Sequence, residues 1–193
     1  MRLSTTCDEN SGGSPSVSTR IFSSGSSEPM STFTRVSITR SSQVVESLIH
    51  IAMEIGAEGY EGHAVGTIIV VGDATSVMER SRQLTLNPFQ GISEAERNAQ
   101  DPQIGDAIKT FAALDGAFVI REDGVVLSAG RYLLTMSRDV KLPMGLGARH
   151  SAAASISAET KSIAITVSQT TGTVRVFKAG EIVLELRQKL RRV

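Results

Sequence analysis

The sequence predicts an α/β fold: one globular domain over residues 36–187, with a central mixed β-sheet of about six or seven strands flanked by helices. Three observations predict it. Gly66-Thr67-Ile68-Ile69-Val70-Val71-Gly72-Asp73 is a short, continuous apolar run bounded by glycines, the pattern of a central strand buried on both faces. Two segments on either side carry apolar residues at helical spacing. Near the C-terminal end, three strand-like segments are separated by glycine turns, which reads as a meander.

The elements follow in order. Residues 1–35 hold 15 serines and threonines and few large apolar residues. Such a segment does not bury enough surface to offset its ordering entropy, so it is expected to be a disordered tail or linker. A strand over Phe33–Ile38 is an option at its end. Ser41 or Ser42 caps a helix in which Val44, Val45, Leu48, Ile51, Ala52 and Ile55 form one buried face, ended by Gly56 or Gly59. His50 and His63 read as a helix-surface and a loop histidine. Residues 74–100 are polar and without period. Within them Asn87-Pro88-Phe89 suggests a turn with an anchored aromatic, and Ser93–Glu96 a short helix. Asp101-Pro102 is a helix start, an N-cap followed by proline at the first helical position; Ile104, Ala107, Ile108, Phe111 and Leu114 mark its buried stripe. Phe118–Ile120 and Val125–Leu127 flank Asp123-Gly124, a two-residue hairpin signal, and the chain leaves through Ala129–Leu133. The meander is Ser162–Val167, Thr173–Phe177 and Glu181–Leu186. Arg187–Val193 is basic and expected to be a solvated helical end, with 188–193 outside the domain.

Composition narrows the function. Formal net charge is zero, so no whole-protein field recruits nucleic acid or membrane, and any anion site must be local. Aromatics are 4% and tryptophan is absent, which removes the stacking platforms of single-strand readers. One cysteine, Cys7, rules out an intrachain disulfide and fits a reducing, cytoplasmic setting. No apolar run approaches the roughly 20 residues a membrane-spanning helix needs.

Two stretches carry candidate chemistry. In Gly145-Leu146-Gly147-Ala148-Arg149-His150-Ser151, a glycine loop feeds an alanine-rich helix. A first helical turn offers unpaired N–H groups and the positive end of the dipole, and Arg149 and His150 add donors, a combination that suits a phosphate. An ordinary solvated first turn reads the same way. The dinucleotide fingerprint is absent, because His150 stands at the third glycine position, and so is a Walker-type Gly-Lys-Ser/Thr. Asp115, beside Gly116 and Ala117, lies between a helix and a buried strand. A carboxylate there is suited to holding a divalent ion or taking a proton while a ligand approaches the backbone; simple turn chemistry is the alternative.

Asp115-Gly116-Ala117, followed about thirty residues later by Gly145–His150, resembles the diadenylate cyclase domain family, marked by a DGA motif and a downstream GxxRHR-type motif. The hairpin between them, Tyr132-Leu133, and Val167–Gly172 are also similar, and the archaeal branch is the nearest. The resemblance spans most of residues 64–185. It implies condensation of two ATP molecules into cyclic di-AMP and two pyrophosphates, with Mg²⁺ or Mn²⁺, in a homo-oligomer whose active sites meet face to face. Composition, not the resemblance, argues against a nucleic-acid or membrane partner. The resemblance assigns catalysis to Asp115, Arg149 and His150 and the metal to Asp115. Nucleotide contacts fall on Gly116, Ala117, Tyr132, Leu133, Gly147, Arg149, His150, Ser151, Ser168 and Gln169. Three positions depart from the family pattern. Ser151 replaces the triplet's second arginine, Ala148 replaces a frequent threonine, and Gln169 stands where some members carry glutamate. Arg131, Arg138 and Lys141 are candidate substitutes for the missing charge. Ser151 and Ala148 motivate the alternative of a weak or inactive cyclase-like domain that senses ATP or cyclic di-AMP.

Overall fold

The computed structural model describes residues 17–21, 40–135, 140, 142, 143 and 145–188. Its strands are β1 (Val17–Ile21), β2 (Ile68–Val71), β3 (Ser81–Gln83), β4 (Ala117–Ile120), β5 (Val126–Leu133), β6 (Ile163–Val167), β7 (Val174–Lys178) and β8 (Glu181–Gln188). Its helices are α1 (Arg40–Glu58), α2 (Ala74–Glu79), α3 (Pro102–Phe111) and α4 (Ala148–Glu159). The eight strands form one mixed sheet in the order β1-β8-β7-β6-β2-β4-β5-β3. The β2–β4 pair is parallel and every other neighbour antiparallel. The α/β reading therefore holds, with β2 near the middle of the sheet.

Alternation along β2 explains the two-layered core. Ile69 and Val71 face one apolar cluster, with Leu48, Ile55, Ile108, Phe118 and Ile165, beneath α1 and α3. Ile68 and Val70 face the other, with Val77, Ala117, Ala153, Ala154, Ile156 and Phe177, beneath α2 and α4. A strand covered on both faces needs apolar residues at every position, hence the unbroken run. Each fully buried isoleucine or leucine contributes on the order of 1.5–3 kcal/mol. The alanines of α4 let that helix lie close on β6 and β7.

Local signals mostly resolve as the sequence indicates. Gly59, at φ 65°, follows the end of α1 and donates to Ile55 O at 2.9 Å, the left-handed cap that glycine adopts without strain. Asp101 caps α3 by accepting from Gln103 N at 2.8 Å. Phe89 is buried against Phe111. Glu94–Glu96 forms one turn of 3-10 helix. The hairpin turn is longer than its dipeptide suggests. Arg121 N donates to Val125 O and Gly124 N to Arg121 O, with Gly124 at φ 94°, the geometry of a three-residue loop closed by a glycine bulge.

Several expectations are corrected. Val17–Ile21, inside the segment expected to be disordered, pairs antiparallel with β8 along Val17↔Gln188 to Ile21↔Leu184. Residues 74–100 are not without regular structure: α2 and β3 lie there, and β3 adds an edge to the sheet. Leu114 is 37% exposed, because α3 ends at Phe111 and Leu114 falls in the turn that follows. The exit Ala129–Leu133 is the second half of β5. Arg187 belongs to β8, not to a helical end. The option of a strand over Phe33–Ile38, and residues 189–193, lie outside the described residues.

Candidate active site at one end of the sheet

Three separate segments converge at the end of the sheet where β2 and β4 begin and β6 finishes. The first is the turn into β4. Gly116 has φ 108°, and a Cβ there would sit 2.6 Å from both Gly130 C and Arg131 N of β5. Glycine is thus required by conformation and by space, and it presses the Asp115–Ala117 backbone against β5. Asp115 is left standing into solvent, its side chain 86% exposed. The second segment is the first turn of α4, entered through Gly145 (φ 93°) and Gly147. His150 N and Ser151 N both donate to Gly147 O, at 3.0 and 3.2 Å. The third is the Ser168–Gly172 turn after β6, closed by Ser168 N to Thr173 O (2.9 Å) and Gly172 N to Ser168 O (2.8 Å).

Arg149 joins the three. Its Nη2 lies 3.7 Å from Asp115 Oδ1, and its Nη1 donates to Gln169 Oε1 at 3.4 Å. Both contacts are long and the pair is open to water, so it contributes little to stability. A guanidinium and a carboxylate brought together from distant segments, without strong mutual bonds, are free to exchange partners with a ligand. Gly66 makes room for Gln169, because a Cβ on Gly66 would lie 2.9 Å from Gln169 Cβ.

His150 takes the other direction. Both histidine and arginine of the motif were expected as donors at the mouth, but the His150 ring is buried, edge-on to Phe177 at 6.3 Å between centroids. Its Nε2 lies 3.1 Å from Arg175 Nη1. At the third helical position a side chain points back under the helix onto the sheet, which carries the ring inward. Burial, then the charges of Arg175 and Arg149, hold its pKa below the usual 6.5. In the unfolded chain His150 therefore binds a proton that the folded chain resists. Stability is full above about pH 6.5 and declines as pH falls through the window below it. Glu185, Asp73 and Asp123 are held below the ordinary carboxylate range and stay ionised in that window. His150→Gln, neutral at every pH, should flatten the fall in melting temperature between about pH 7 and 5; equal slopes in wild type and variant would contradict this burial.

The remaining candidates divide. Ala117 pairs with Arg131, and antiparallel pairing carries Tyr132 and Leu133 past the start of β4, to the end of the sheet that holds Asp115. Tyr132 is half exposed, with Arg82 over its ring at 5.3 Å. The Leu133 side chain packs in the α2–α4 cluster, which leaves its backbone as the part able to meet a ligand. Ser151 is exposed on α4. Arg131 is not a substitute for the missing arginine. Its guanidinium is spent on Ser81 Oγ (2.7 Å), Ser81 O (2.8 Å), Met78 O (3.1 Å) and Gln83 Oε1 (3.3 Å), tying β3 to β5. Arg138 and Lys141 lie outside the described residues. Two grooves lie elsewhere, one along α1 beside Leu186 and one at the far end of β2 beside Asp73 and Lys161. Sequence reasoning missed Gly66 and Arg175. Gly66 read only as a strand boundary. For Arg175 a signal existed, since a charge between Val174 and Val176 in an apolar strand must face the opposite layer from its neighbours.

Residues 54–182 match the family described as DAC, DisA bacterial checkpoint controller nucleotide-binding. The chain belongs to the DAC family. The match includes Asp115-Gly116-Ala117, the Arg149-His150 turn and Gln169. Among curated proteins, the DAC chain is 52% identical over 145 residues to a diadenylate cyclase of Methanocaldococcus jannaschii, covering 74% of this chain and 45% of that one. It is 41% identical over 143 residues to a diadenylate cyclase of Haloferax volcanii, covering 74% and 52%. It spans about half the length of these archaeal relatives. A solved structure, a hypothetical membrane-spanning protein from Bacillus cereus, shares the fold at TM-score 0.53 and 19% identity, over 76% of this chain and 63% of that one. In the DAC chain itself, no helix among the described residues is long and apolar enough to cross a membrane.

Proposed function

We propose that this DAC chain condenses two ATP molecules into cyclic di-AMP and two pyrophosphates. The observation that carries the reading is the convergence of Asp115, Arg149 and Gln169 on one open face, in a family whose archaeal relatives are named diadenylate cyclases. Each 3′-hydroxyl attacks the α-phosphorus of the other nucleotide: one P–O bond forms, the bond to pyrophosphate breaks, and the hydroxyl proton leaves to a base. The chain's task is positioning and charge neutralisation.

Arg149 and the first turn of α4 take the triphosphate, while Tyr132 and the Leu133 backbone border the adenine. Gly116 and Ala117 let ribose or phosphate approach the main chain. Ser168 and Gln169 flank the phosphates on the far side. His150 serves this arrangement from beneath the helix, and Ser151 stands beside it as a weak polar contact. Among the described residues no cluster of three or more acidic, histidine or cysteine side chains forms a self-contained metal cage. A single open carboxylate fits an ion that arrives with phosphates, since Mg²⁺ is commonly held by one or two carboxylates together with substrate oxygens. Asp115 would hold that ion, Mg²⁺ or Mn²⁺, which when bound offsets phosphate charge. Asp115 also stands where it can accept the hydroxyl proton. Its exposure means that one chain encloses the reactants poorly, and a second copy face to face completes the site.

One observation favours a second reading, a nucleotide sensor with weak or no turnover. Ser151 occupies the position of an arginine, and the loss of a charge-assisted phosphate contact costs about 1.5–3 kcal/mol. Ser151→Arg is expected to tighten ATP binding by roughly tenfold or more if a phosphate lies there, measured by calorimetric titration. Unchanged or weaker binding in a folded variant would count against that placement. Product formation with ATP separates cyclase from sensor.

A further inference from the structure

On its open side the first turn of α4 is weakly fixed among the described residues, where Arg149 makes long contacts to Asp115 and Gln169. Beneath it the situation is different. Arg175 on β7 has its side chain 12% exposed and reaches in two directions. Its Nε donates to Glu185 Oε2 at 2.8 Å, and its Nη1 lies 3.1 Å from His150 Nε2. Glu185 sits directly opposite Arg175 in the β7–β8 ladder and is itself buried, its other oxygen accepting from Arg187 Nε at 2.7 Å. Burial alone would raise the Glu185 carboxyl, but the Arg187 and Arg175 hydrogen bonds outweigh it and keep the group ionised.

A guanidinium has donors and no acceptor. A hydrogen bond between Arg175 and His150 therefore requires a lone pair on Nε2, which places the single ring proton on Nδ1. The Phe177 ring also packs against the imidazole, in a T-shaped contact with 6.3 Å between centroids. We propose that Arg175 is a positioning residue of the nucleotide site: braced by Glu185, it fixes His150 as the neutral Nδ1–H tautomer and anchors the first turn of α4, and with it Arg149, to the β7–β8 ladder. The purpose assigned to the contact rests on the ATP-binding reading above. The chain Glu185–Arg175–His150 does for a phosphate site what outer partners do for metal-bound histidines, setting tautomer and ring orientation.

The test uses the full chain labelled with ¹⁵N-histidine. Imidazole correlation spectra report the tautomer, and titration reports ATP affinity. Arg175→Met alone would leave the Glu185 charge buried with one partner fewer. Arg175→Met combined with Glu185→Leu removes both charges and is expected to fold. Wild type should show His150 as a single Nδ1–H species near neutral pH. The folded double variant should show a mixture of forms and bind ATP roughly tenfold to a hundredfold more weakly. A wild-type His150 protonated on Nε2 would overturn the proposal, as would a folded double variant with wild-type ATP affinity. If the double variant does not fold, Arg175→Lys takes its place. Lysine carries its three donors on one flexible nitrogen and lacks the fork that reaches Glu185 and His150 separately, so partial loss of the tautomer and of affinity together supports the proposal, and loss of one without the other overturns it. Wild type that shows the tautomer but binds no ATP overturns the functional reading, and with it the purpose assigned to Arg175.

Discussion

Asp115→Asn should abolish cyclic di-AMP formation while leaving the fold and most ATP binding intact. The side chain is 86% exposed and its contact with Arg149 is 3.7 Å long, so removing its charge should change stability by no more than about 0.5 kcal/mol. Chemistry is another matter. Asparagine accepts hydrogen bonds but neither takes a proton at neutral pH nor neutralises a divalent ion. Loss of a positioned base or metal carboxylate typically lowers rate by roughly 10²–10⁴-fold. Initial rates of product formation by chromatography, together with a thermal melt and an ATP titration, check all three parts. Product formed at the wild-type rate would remove Asp115 from the reaction.

The second large effect is expected at Arg149. Arg149→Gln keeps a polar side chain near Gln169 but loses the charge and the planar fork. A charge-assisted phosphate contact is worth about 1.5–3 kcal/mol, so ATP should bind roughly ten to 150 times more weakly. Arg149→Lys, which restores charge without the fork, should fall between the two. Because Arg149 is 42% exposed and weakly held, melting temperature should barely move in either variant. A large loss of stability with unchanged ATP affinity would assign Arg149 a structural role instead.

Much of this arrangement is legible in the sequence because local chemistry and global fold agree. The Ile68–Val71 run has no polar position because both sheet faces are covered. Asp101-Pro102 starts α3 because the cap and the missing proline N–H both suit a first turn. Gly116 is glycine because its φ and the approach of β5 exclude a Cβ. What escapes the sequence is decided by tertiary contact. β3 is a three-residue polar strand, Ser81–Gln83, with no alternation to detect; it is held by the Arg131 guanidinium and by Gln83 reaching Ala129 O. β1 lies in a Ser/Thr-rich context and exists by adding to the free edge of β8. The buried His150 ring meets Arg175, 25 residues away in the chain, and no local spacing encodes that contact. The convergence of Asp115, Arg149 and Gln169 was visible only as motif order; the register of β2, β4 and β6 turns that order into proximity.

The central claim is that two copies of this chain join two ATP molecules through the Asp115–Arg149 face. Incubating the purified chain with ATP and Mg²⁺ or Mn²⁺, over a range of protein concentrations, tests it most directly, with product identified by chromatography and mass. The account predicts cyclic di-AMP, two pyrophosphates for each molecule formed, and a specific activity that rises with protein concentration as copies pair. ATP bound but never converted, under either metal and at every concentration, would contradict it.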